Sequence, residues 1–395
     1  NTALGTDALD TTTADAVSNT AIGQSAATAL TTGDKNTAIG AYALDESTVN
    51  AQSNTAVGYA SLSAAAVDDN TAIGAKALNV FTGSNATAVG SGAADSLTTG
   101  GFNTAVGKDA LGATDDGAYN VAVGYQALNA NCGDSNVSVG FEALEVFTGA
   151  NAVAIGASAA SAATSASNLT AVGENALTAC TDGNYNTAVG TSALVSITTG
   201  DDCTALGSGA GNRMTGSRSV LLGSDAGYFA TAASDTIAIG KNAFRGDGTT
   251  APDGDSNITI GSYTLDAATT ATRNVAIGTS ALTSATNNID NIAIGYHALL
   301  DADSHEHYNV AIGSYALATE ASGSDGCVAV GYYALNAQND ADAQNTAVGF
   351  QSAQNLSDAV KGVFVGYNAA GSGTVTGGYN TVLGHSAGYD LTSGT

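Results

Sequence analysis

Basic residues are the scarcest class in this chain: nine lysines and arginines stand against 35 aspartates and glutamates, a formal net charge of −26. That balance excludes a basic patch able to neutralise phosphates, so nucleic acid is not an expected partner. Anionic membrane surfaces are disfavoured for the same reason. Charge of either sign makes up only 11% of the residues, so the solvated surface of an ordinary helical domain is missing. Tryptophan is absent and proline occurs once. The four cysteines, Cys132, Cys180, Cys203 and Cys327, form no C-x-x-C pair, which removes metal knuckles and dithiol redox motifs. They are expected as free, small, half-buried thiols. No run is long and apolar enough for a transmembrane helix, and no signal peptide or initiating Met is present. The chain begins and stops within a repeat array, so it is expected to be a segment of a longer protein.

What is abundant is small. Glycine contributes 50 of 395 residues, and 44% of the chain is hydrophobic, much of it alanine. Strictly recurring apolar positions argue against disorder. They point to a thin, long core of small side chains.

One glycine registers the whole sequence. It recurs from Gly5 to Gly384 in 23 copies, at a mean interval of about 17 residues, the longest being the 21 between Gly240 and Gly261. Around it the consensus is N-T-A-[IV]-G-x-x-A-L. The residue three before glycine is Thr, Val or Ile in all 23 copies, and the residue one before is Ile, Val or Leu in all 23. Ala lies between them in 18 copies, Ala follows three after glycine in 20, and Leu comes next in 14. β-Branched residues at alternating positions predict a short strand in each copy. Asn precedes that strand in 15 copies, where its side chain can bond the backbone of a corner. The registering glycine is expected to need positive φ or a close backbone approach. A second glycine seven residues earlier, as in Gly33, Gly83 and Gly149, marks a far bend. A weaker second strand is expected around x-A-L. A hexapeptide triangular helix is excluded, because the positions six residues on hold Asp10, Thr28, Asp45, Ser63 and Asn79.

The fold expected is therefore an all-β parallel β-solenoid, one continuous array over residues 1–395 with about 17 residues in each of 23 coils. In T-A-I-G the β-branched pair faces one way, and Ala with Gly faces the other. Both faces are apolar or small, whereas a monomeric solenoid should alternate apolar and polar. One face can fill the coil; the other wants a cover, and self-association along the rod supplies it. Ile39 is expected in a buried column, so that an Asp there should disrupt the rod locally.

N-T-A-[IV]-G-x-x-A-L resembles the head repeat of YadA-like trimeric autotransporter adhesins, whose motif is close to N-S-V-A-I-G-x-x-S. The resemblance is carried by Asn36-Thr37-Ala38-Ile39-Gly40, Asn120-Val121-Ala122-Val123-Gly124, Asn274-Val275-Ala276-Ile277-Gly278 and their siblings along the whole chain. It implies a left-handed β-roll, a homotrimer around one axis and an adhesive role at a cell surface, outside the cell. The coil here is longer than that family's, and Thr often replaces Val. Similar repeats occur in bacteriophage tail fibres, so a virion fibre shaft is an alternative, as is a filament of coils stacked end to end.

No catalytic constellation emerges from the four histidines, and the segment is not expected to be an enzyme. Aspartates accumulate five or six residues before the glycine, among them Asp34, Asp68, Asp134, Asp235, Asp290 and Asp325. This is expected as a solvated acidic edge that blocks lateral aggregation. In the longest spacer, Asp247, Asp253 and Asp255 are the best candidates for a Ca²⁺ site. Asp301, Asp303, His305, Glu306 and His307 form a stretch that a transition metal could use. Aromatic residues recur one or two positions after the glycine. They are densest toward the C-terminus, where Tyr296, Tyr315, Tyr332, Tyr333, Phe350 and Tyr367 are the candidate contacts with a host-surface or matrix glycan or protein. Ring-on-ring packing along the coil edge is the simpler account of the same pattern.

Overall fold

The computed structural model describes residues 1–13, 15–46, 50–246, 248, 254–302, 306–320, 325–338, 343–372 and 374–392. The chain divides into two compact units, Asn1–Ser192 and Ala193–Thr395. Among the described residues of both, the only regular elements are short strands.

The first unit carries twelve three-residue strands, from Thr2–Leu4 to Thr187–Val189, one for each registering glycine. Each pairs in parallel with the next, and like stands on like: Thr37 is level with Thr20 and Thr55, Ala38 with Ala21 and Ala56. The second unit repeats the arrangement in eleven strands, from Thr204–Leu206 to Thr381–Leu383. Successive partners lie 16 to 21 residues apart, as in Val137 against Val153 and Ile237 against Ile258. The fold is thus an all-β parallel β-solenoid of about 17 residues per turn.

Each strand is three residues long because glycine ends it. The registering glycines have φ between +127° and +144°, a region closed to side chains. Within each unit these glycines pack on one another, so that a Cβ on Gly23, Gly90 or Gly295 would overlap the glycine of the next coil.

The x-A-L segment is a turn and not the second strand expected there. Tyr42 and Leu44 have φ of 60° and 54°, and the same two positions are left-handed in coil after coil. Backbone bonding between coils nevertheless continues through it. Tyr42 N–H donates to Gln24 O of the preceding coil at 2.9 Å, and Leu44 N–H to Ser61 O of the following one at 3.0 Å. A three-residue strand cannot close a 17-residue coil; the alternating left-handed residues bend the chain while their own N–H groups stay paired between coils. A second, four-stranded sheet does form, among the described residues only in the second unit and further along the coil, at Thr319–Glu320, Ala337–Gln338, Asn355–Asp358 and Val375–Thr376.

The coil interior is filled by the strand Ala, the Ala-Leu of the turn and a variable residue three positions later. Ala38, Ala43, Leu44, Phe81 and Phe147 are fully buried. Where the strand residue is large, the turn residue shrinks. Leu221 replaces the strand Ala, and Gly211 and Gly227 stand where Leu is usual; a Cβ on either would lie 2.6 or 2.8 Å from Leu221. Phe364 is matched likewise by Ala353 and Ala370, all three fully buried or nearly so. Conserved volume in a close-packed interior requires this exchange.

Asparagine fills the corner before the strand. Asn36 is buried, its Oδ1 accepts from Asn54 N–H at 2.9 Å, and its Nδ2 donates to Ala51 O at 2.7 Å. Asn19, Asn120, Asn274 and Asn291 make the same Oδ1 bond to the coil that follows each of them. One side chain thereby satisfies two backbone groups that the sheet cannot reach.

Candidate functional site

Two surfaces and one edge stand out once the interior is accounted for. The first surface is the outer face of the strands. Strand alternation sends Ala inward and the β-branched pair outward, so Ala38 is fully buried while Ile39 is 38% exposed. This corrects the expectation that Ile39 sits in a buried column: it is the alanine set that fills the coil, because Leu and Phe from the turn already occupy the space opposite. Ile22, Ile73, Ile155, Leu206 and Val363 are exposed in the same way. The face is more aliphatic in the second unit. The outward residue that begins each strand is Val or Ile in eight of its eleven strands, from Val220 to Val363, against three of twelve in the first unit.

The second surface is the aromatic ladder, also in the second unit. Tyr296, Tyr315, Tyr332, Tyr333, Phe350 and Tyr367, scattered over 72 residues of sequence, come together in one line. Tyr296 meets Tyr315 edge-on at 5.4 Å, and Tyr315 meets Tyr333 at 4.8 Å. Tyr332 then stacks on Phe350 at 5.2 Å, and Phe350 on Tyr367 at 5.0 Å with planes 7° apart. Two residues outside the expected set complete it: His297 lies 3.9 Å from Tyr296, and His385 stacks on Tyr367 at 4.9 Å. Their register, one or two positions after glycine, was the available signal. Ring-on-ring packing is therefore real. The rings nevertheless remain accessible, Tyr332, Phe350 and Tyr367 being 45, 38 and 47% exposed. Burial and neighbouring tyrosines push the Tyr315 and Tyr333 hydroxyls above the ordinary tyrosine range.

The backbone fixes the spacing of these rings. Tyr315 N–H donates to Tyr296 O at 2.9 Å, Gln351 N–H to Tyr332 O at 2.8 Å, and Asn368 N–H to Phe350 O at 2.9 Å. In the first unit the corresponding positions give isolated pairs only, Tyr42 with Tyr59 and Tyr125 with Phe141. A further aromatic column at the corner, five residues before glycine, was not anticipated. Phe102 stacks on Tyr119 at 5.2 Å, and Tyr185, Tyr308 and Tyr379 occupy the same position, each with positive φ and strong exposure.

The acidic edge has a structural role. Six residues before glycine, Asp34, Asp68, Asp134, Asp255 and Asp325 each accept a backbone N–H of the preceding coil, from Val17, Gln52, Ala118, Ser234 and His307, at 2.6 to 2.8 Å. One position later, Asp235 and Asp290 form two-pronged pairs with Arg218 and Arg273 of the coil before. Hydrogen bonds from those arginines hold both carboxyls below the ordinary aspartate range. Of the calcium candidates, Asp247 and Asp253 lie outside the described residues, and Asp255 serves as the cap just named. In the metal stretch, Asp303 and His305 also lie outside them, and His307 Nδ1 accepts from Ile289 N–H at 3.1 Å. Among the described residues no three His, Cys, Asp or Glu side chains are grouped to hold a metal ion, and no helix is long and apolar enough to cross a membrane. All four cysteines are buried and none is disulfide-bonded.

No family model matches the chain. No curated protein is significantly similar to it.

Proposed function

We propose that this chain is a structural and adhesive segment of an extracellular surface fibre, in which three copies pack through the outer faces of their strands. The observation that carries this reading is the exposed aliphatic face itself. Soluble monomers rarely leave apolar patches larger than a few hundred Å² uncovered, and here two columns of Val, Ile, Leu and Thr run the length of each unit's sheet. A second copy offers the same columns at the same spacing, so the face is self-complementary. Three-fold closure accords with the resemblance of the repeat to trimeric adhesin heads. The excess of 35 acidic over nine basic residues keeps other faces of the fibre apart. The aromatic ladder is the surface left for adhesion.

Light scattering on the purified chain tests the assembly. A concentration-independent mass of three times 38.3 kDa is expected. A soluble monomer at micromolar concentration overturns the reading.

A further inference from the structure

We propose that the aromatic ladder of the second unit binds one extended, uncharged polysaccharide chain lying along the stack of coils. The inference rests on the reading of the segment as adhesive and names the ligand class of that surface.

The first ground is charge. Across the six coils from Gly295 to Gly384, the two positions after glycine hold no Asp, Glu, Lys or Arg, in a chain of net charge −26. The non-aromatic members are Ser314, Gln351, Asn368 and Ser386. A polyanion finds no cation there and is repelled by the rest of the molecule; a polycation finds no carboxylate. What remains is rings interleaved with hydroxyls and amides. This is the chemistry that recognises a sugar, whose apolar C–H face packs on a ring while its hydroxyls exchange hydrogen bonds.

The second ground is shape. The strip is only one or two residues wide and repeats at the coil rise of roughly 4.8 Å, which suits a linear polymer and not a globular protein epitope. The third is rigidity. The rings stand on backbone hydrogen bonds between coils, as in Tyr333 N–H to Ser314 O at 3.1 Å and Ser386 N–H to Tyr367 O at 2.7 Å, and on each other. Little side-chain freedom is left to lose on binding, so many weak contacts can add up.

Affinity electrophoresis of the whole chain in gels containing hydroxyethyl cellulose, galactomannan or dextran tests the proposal, with hyaluronate and polylysine as charged comparators. Retardation by at least one neutral polymer is expected. It should be insensitive to salt and weakened at least tenfold in the double variant Tyr332→Ser/Phe350→Ser. The double variant Tyr59→Ser/Tyr125→Ser, in the first unit, should behave as wild type. Tyr332→Phe, which keeps the ring, should retain most of the binding even if the serine variant proves poorly folded by circular dichroism. With oligosaccharides of the polymer that binds, affinity should rise with length up to that of the ladder. The proposal is overturned by no retardation in any neutral polymer, by equal retardation of a folded Tyr332→Ser/Phe350→Ser chain, or by preference for hyaluronate or polylysine. The adhesive reading fails separately, if the wild-type chain adheres to neither glycan-coated nor protein-coated surfaces.

Discussion

The carbonyl of Gly107 occupies the place that a Cβ on Gly90 would need. Gly90 also has φ of +144°, so two independent constraints, a backbone conformation and a close approach, meet at one residue. Two positions on, Gly92 has φ of 67°, a left-handed conformation that Asp109 adopts at the equivalent position of the next coil. Gly90→Ala should therefore cost about 2 kcal/mol or more, while Gly92→Asn should cost clearly less, because its Cβ would meet only the Asp109 carboxylate, at 2.5 Å, and a side chain can turn aside where a backbone carbonyl cannot. Thermal melting of the two variants side by side checks this. Equal losses would mean that the registering glycine is not special.

Asn36 joins three coils through one amide. Its replacement by Ala leaves Asn54 N–H and Ala51 O without their side-chain partner, and unpaired buried polar groups cost about 1–3 kcal/mol each. Asn36→Asp should be at least as damaging, because it places a charge in the same closed corner. Faster amide exchange at Asn54, measured by hydrogen–deuterium mass spectrometry, is the local signature expected for both.

Ile39 is the residue on which fold and assembly part company. In the single chain its side chain is half-exposed, so Ile39→Asp should leave the coil folded and resistant to protease. In the proposed trimer that face is covered, so Ile39→Asp combined with Ile73→Asp should shift the mass toward monomer with unchanged circular dichroism. Loss of protease resistance in the monomeric form would show that the aliphatic column supports the coil directly.

Asp45 and Asp266 each have a buried carboxylate oxygen that meets no hydrogen-bond donor among the described residues. Burial raises both pKa values from the ordinary 3.8; at Asp45 backbone hydrogen bonds oppose it and the charge of Glu46 adds to it, and at Asp266 Arg245 opposes it. An acid whose pKa is raised on folding favours the folded state only while protonated, so its contribution is lost as pH rises through the folded pKa. Asp45→Asn and Asp266→Asn should each stabilise the chain at about pH 7, by up to about 0.5 kcal/mol at these partly exposed positions, and the gain should vanish near pH 3. Urea melts at the two pH values provide the comparison. A gain that persists in acid would locate the effect elsewhere.

Much of this molecule is local enough to be read in one dimension. The glycine at each coil, the β-branched pair before it and the asparagine before that are fixed by the φ, the alternation and the corner of a single turn, so the period and the parallel strand follow from the sequence alone. The ladder residues Tyr296 to Tyr367 were legible for the same reason, since equal register in a solenoid means vertical neighbours. The limits are equally physical. Ala38 and Ile39 are both apolar, and which of them faces inward depends on what the turn already places across the coil, Leu44 and the Phe81-type residue. The x-A-L segment carries residues compatible with a strand, and closure of the coil makes it a turn. Asp34 and Asp255 look like any surface carboxylate until the coil before them supplies the N–H groups of Val17 and Ser234. The sequence by itself determined the repeat and its strand, because those rest on contacts within one coil and its like neighbours. Only the tertiary structure decided what is inside, what is outside and what the aspartates hold, because those depend on groups that meet across the coil or between successive coils.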